Sequence, residues 1–87
     1  MTQTEKIQHI VDQGELPDWV ARREVELFED STGDPAAKVR LVVRHGNESV
    51  FKDGGLLNRV RDQVHGIFEA AQVELWPYVG FIAEAEA

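Results

Sequence analysis

Eighty-seven residues with 16 acidic and 9 basic side chains, a formal charge of −7, make a single domain over residues 1–87. That length is close to the lower limit at which one core holds a fold unaided. With no cysteine in the chain, disulfides and thiolate zinc sites are excluded and a reducing compartment is permitted. No apolar run approaches the roughly 20 residues that span a bilayer, and Met1 to Lys6 lack a basic segment followed by an apolar one. The acidic excess opposes binding that rests on phosphate contacts. A soluble, cytoplasmic protein with neither membrane nor nucleic acid as partner is expected.

The first element is a short helix. Thr2 and Glu5 have capping-box spacing, Ile7, Ile10 and Val11 form one stripe, and Gly14 suits the C-terminal cap. Leu16-Pro17-Asp18 then breaks the pattern and turns the chain into extended backbone. From Trp19 to His45 two alternating runs flank the turn Asp30 to Pro35. Trp19, Ala21, Val25 and Leu27 share one face of the first run, with Arg22, Glu24 and Glu26 opposite. Val39, Leu41 and Val43 share one face of the second, with Lys38, Arg40 and Arg44 opposite. This is the period-two signature of a hairpin wet on one side, whose outward faces carry charges able to pair across strands.

After a turn at His45 to Glu48, Val50 and Phe51 read as an optional extra short strand. Gly55 to about Leu75 carries the strongest helical signal, with Leu56, Leu57, Val60, Val64, Ile67, Phe68 and Ala71 recurring at three- and four-residue intervals. Gly66 costs that helix about 1 kcal/mol relative to Ala and points to close packing, as against a strand. Pro77 cannot continue the helix, so Trp76 to Ile82 reads as a terminal strand followed by a frayed Ala-Glu tail. The order α-β-β-α-β defines a two-layer α+β domain, an antiparallel hairpin sheet with a C-terminal strand packed by one long and one short helix. A right-handed crossover lays the last strand parallel to the second hairpin strand, and the first strand is then expected at the centre.

A helix, an antiparallel sheet and a second helix also describe the double-stranded RNA-binding domain, which this order resembles. That family uses a lysine-rich start of its second helix to reach phosphates. Here the matching stretch is Lys52-Asp53-Gly54-Gly55-Leu56-Leu57-Asn58, and the resemblance carries no function over.

Chemistry has few footholds. His9 with Asp12, and His65 with Asp62 or Glu69, are spaced to place two metal ligands on one helix face, but neither pair has a third ligand legible in sequence. No hydroxyl lies in a G-x-S-x-G elbow and no phosphate-loop pattern surrounds Gly54-Gly55. No catalytic residue, metal site or cofactor is therefore assigned. The aromatic set Trp19, Trp76, Tyr78 and Phe81 is the candidate ligand- or partner-binding surface, since large rings dominate binding centres as they dominate small cores. The expected function is a small non-enzymatic binding or assembly module that forms homodimers. One alternative is an aromatic-lined pocket for cationic or amphipathic small molecules; another is a small enzyme using His65 with Asp62 or Glu69.

Overall fold

The computed structural model describes residues 2–87. Helix α1, Gln3–Gln13, starts where Thr2 adopts extended backbone and its Oγ1 accepts from the Glu5 N–H at 3.2 Å, the capping expected from the sequence. Its stripe buries Ile7 and Val11. Gly14 is the C-cap, but its φ of −73° is not left-handed. Glycine is needed there because an added Cβ would overlap Ile67, with Cγ1 only 2.7 Å away.

Strands β1, Val20–Glu29, and β2, Pro35–Val43, form the hairpin. Asp30 Oδ1 accepts from the backbone N–H groups of Thr32 and Asp34, and Gly33 takes φ +83°. A register shift between Val20 and Arg22 alters the expected alternation. It puts Val20 opposite Val43 and into the core cluster, a place the sequence pattern had assigned to Ala21. The segment at Val50 and Phe51 is not an extra strand. It is a 3-10 helix, Glu48–Lys52, with Val50 buried.

Helix α2 runs Gly54–Ala70, ending before the expected Leu75. Asp53 Oδ1 accepts from the Leu56 N–H at its start. At its end Gln72 takes a left-handed φ of 58°, and the Val73 N–H reaches back to the Phe68 carbonyl, a Schellman-type stop. Strand β3, Trp76–Ala83, joins the same sheet parallel to β2. Glu84–Glu86 form a short 3-10 turn in place of a frayed tail, and Glu84 Oε1 accepts from the His45 N–H.

Among the described residues the sheet has three strands in the order β1-β2-β3. The central strand is therefore β2 and not, as expected, β1. The physical reason lies in burial: Ala36, Ala37, Val39, Leu41, Val42 and Val43 of β2 are all at most 1% exposed, whereas β1 is charged on one face and half-buried on the other. Both helices lie against one face of the sheet. Ile7 and Val11 of α1, and Val60, Val64 and Phe68 of α2, cluster with Val20, Ala37, Val39 and Leu41, while Leu27 packs half-buried at the margin. No helix of the described residues is long and apolar enough to cross a membrane.

Candidate functional site

The two faces of the sheet divide the aromatic set that the sequence had grouped together. Trp19 and Phe81 lie on the helix side, ring centroids 6.3 Å apart, with the Arg61 guanidinium 5.1 Å from the Phe81 ring centre. Both are half-buried against the core, so they seal the seam between α2 and the sheet. Trp76 begins β3, is 58% exposed, and meets His65 of α2 edge-on at 4.7 Å. Tyr78 is 43% exposed and has a different partner, Phe28, at 5.5 Å. The expected adjacency of Phe81 with Tyr78 fails because residues an odd number apart on one strand point to opposite faces of the sheet, and Trp19 meets Phe81 on the helix side.

Phe28 was missed by sequence reasoning because a lone aromatic at a charged strand end gives no signal of its own. Register explains the contact. Phe28 stands opposite Ala36 and Tyr78 opposite Lys38, so the two rings lie diagonally across β2 on the helix-free face, within reach for large side chains. An open depression of about 420 Å³ lies beside them, lined by Glu26, Phe28, Lys38, Tyr78, Val79 and Gly80. Gly80 leaves its floor without a side chain.

Acidic groups of the hairpin turn rim this surface. The Tyr78 hydroxyl donates to Asp30 Oδ2 at 3.3 Å. The Thr32 hydroxyl, then the Asp34 and Thr32 N–H groups, hold the Asp30 carboxyl below its usual range. Partial desolvation, followed by the negative charge of Asp30, pushes the Tyr78 phenol above its ordinary value. Along the same face Glu24 lies 3.3 Å from Arg22 and 3.5 Å from Arg40. Glu26 is diagonal to Arg40 and directly opposite Lys38.

The edges of the sheet differ. Along β1, the Gln8 side chain of α1 bonds the backbone of Arg23 and Val25. The Arg23 guanidinium in turn donates to the carbonyls of Val11, Asp12 and Gly14 at the end of α1, where the helix leaves acceptors unpaired. Along β3, no strand among the described residues occupies the outer side. Its sequence, WPYVGFIA, carries no charge, whereas β1 and β2 both do. Pro77 sits in that edge strand, where a missing N–H is tolerated.

The histidines stay apart from one another. His65 faces Trp76, His45 Nδ1 is 3.5 Å from Glu48, and among the described residues no three His, Asp or Glu side chains gather as a metal site. The fold and its exposed features thus define a small two-layer α+β domain whose β1 edge is bonded to α1 at Arg23 and Val25 and whose β3 edge no strand among the described residues covers. Compared with family models, curated proteins and solved structures, the chain matches none.

Proposed function

We propose that this chain is a non-enzymatic assembly module that pairs with a second copy of itself through the outer edge of β3. The observation that carries the reading is the asymmetry of the sheet: the charged edge is bonded to α1, while the uncharged edge is open and flanked by exposed Trp76 and Tyr78. Exposed edges of this kind are templates for another strand, and charge is the usual means of blunting them. Antiparallel pairing of two β3 strands about a twofold axis satisfies both edges at once. The lack of cysteine agrees with a cytoplasmic site of action.

Sedimentation equilibrium over a wide concentration range tests this. The mass is expected to rise from 9.8 kDa to twice that value, and to do so more readily at moderate than at low salt, because salt screens repulsion between two acidic copies. Gly80→Glu is expected to hold the chain at the lower mass. A Cβ at Gly80 meets open space, and the register sets it opposite Arg40, so the monomer accommodates the charge that the paired edge does not. A single mass of 9.8 kDa up to high micromolar concentration refutes the reading.

The depression beside Phe28 and Tyr78, with Asp30 and Glu26 at hand, favours a second reading, a site for small cationic or amphipathic ligands. Quenching or enhancement of Tyr78 emission by a quaternary ammonium probe, abolished in Tyr78→Leu, would raise this reading above the first. The enzyme reading on His65 gains nothing from its contact with Trp76.

A further inference from the structure

We infer that Gln8 is an edge lock: its carboxamide occupies the outer side of β1 at Arg23 and Val25, in the middle of that edge, and so limits self-association to two copies. This rests on the proposal that β3 pairs with a second copy. A sheet with one free edge forms a closed twofold pair, whereas a sheet with two can add copies without end. The state of the β1 edge therefore decides between a dimer and a polymer.

Gln8 projects from α1, and its Nε2 donates to the Arg23 carbonyl at 2.7 Å while its Oε1 accepts from the Val25 N–H at 3.0 Å. One residue of a parallel neighbouring strand makes the same two bonds, to the carbonyl of one residue and the N–H two positions on. A primary amide has the same donor and acceptor as a peptide group, so Gln8 supplies a single-residue substitute for a missing strand. Its orientation is determined, because the second Nε2 hydrogen is directed to Asp12 Oδ1 at 3.0 Å. A flipped amide would set its NH2 against the Val25 N–H. The helix bearing Gln8 is held in place by the reciprocal bonds from Arg23 to the carbonyls of Val11, Asp12 and Gly14. Helix and strand edge thus exchange hydrogen bonds in both directions.

Gln8→Leu tests the lock, since it keeps the volume of the side chain and removes both bonds. Three readouts on the purified chain are needed: circular dichroism for folding, amide exchange at Val25, and sedimentation equilibrium. The Val25 amide is expected to exchange about tenfold faster or more, and the mass to climb past the dimer with concentration. Adding Gly80→Glu to Gln8→Leu is expected to bring the largest species back to two copies, now joined through β1. A folded Gln8→Leu chain that exchanges freely at Val25 yet keeps the wild-type mass overturns the lock. If the wild type proves monomeric, the β3 reading fails alone. The lock is then upheld if Gln8→Leu gains a dimer that Gly80→Glu leaves intact, and overturned if no dimer appears. Should Gln8→Leu fail to fold, Gln8→Met, which likewise removes both the acceptor for Val25 and the donor to Arg23, takes its place, and the same outcomes decide.

Discussion

Two glycines near the helices occupy their positions for opposite reasons, and substitution separates them. At Gly14 the extended backbone suits any residue, yet the space of a Cβ is already filled by Ile67. Gly14→Ala is expected to cost about 1–3 kcal/mol, as overpacking does. Gly66, read from sequence as a close contact, has open space around it in the exposed part of α2. Gly66→Ala is expected to add about 0.5–1 kcal/mol. Urea unfolding midpoints check both, and equal shifts would mean that neither environment is as described.

The single tyrosine of the chain reports on the open face. Tyr78 is held above 10.0 by desolvation and then by Asp30, while Asp30 is held below 3.8, chiefly by the Thr32 hydroxyl. The signs follow from linkage. Stabilisation from ionised Asp30 is present above pH 3.8 and is lost as pH falls through the lower folded value. Stabilisation from neutral Tyr78 is present below pH 10.0 and is lost as pH rises through the higher folded value. Asp30→Asn is expected to move the tyrosinate absorbance titration downward, toward 10.0. An unchanged titration would show that Asp30 does not act on Tyr78.

At the scale of elements, α2 was the most legible in sequence, because its stripe persists over several turns. Val60, Val64 and Phe68 are buried as the periodicity required. Phe68→Ala is expected to cost about 3–5 kcal/mol, and a loss under about 1 kcal/mol in chemical denaturation would show the helix face to be misassigned. Its C-terminus was less legible. The stop comes from Gln72 in a left-handed conformation, which glycine or asparagine would have announced and glutamine does not. Two apolar residues at Val50 and Phe51 suited strand and 3-10 helix equally. Helix α1, with 11 residues, is below the length at which isolated helices persist in water. Its cap at Thr2 was readable, but the Arg23 bonds that close its far end join residues distant in sequence, and no local pattern encodes them. The ion pairs of Glu24 lie on an exposed face and contribute under about 1 kcal/mol each.

At the scale of the molecule, the alternation of each strand gave its face, but the order of strands depends on which flank is buried twice. That information was present in the apolar run Leu41, Val42 and Val43 at the end of β2, where a residue of the outward face, Val42, is also apolar. A central strand reads as such a run. The candidate surface was half legible for the same reason. Trp76 and Tyr78 do stand exposed beside one another on β3, but the partner of Tyr78 is set by cross-strand register, which places Phe28 opposite Ala36 and Tyr78 opposite Lys38.

The mixed pairing of β2 has a kinetic corollary. Its antiparallel neighbour is reached through the short turn Asp30–Asp34, whereas its parallel neighbour arrives only after the whole of α2. Closing the longer loop costs more chain entropy before any contact repays it, so the hairpin belongs to the folding nucleus and β3 docks late. Gly33→Ala, strained at φ +83°, should then mainly slow refolding, and Val79→Ala, at the margin of the core, should mainly speed unfolding. Chevron plots in urea distinguish the two arms, and the reverse pattern would place β3 in the nucleus. Until β3 docks, the apolar flank of β2 is unguarded, and refolding yield should fall as protein concentration rises.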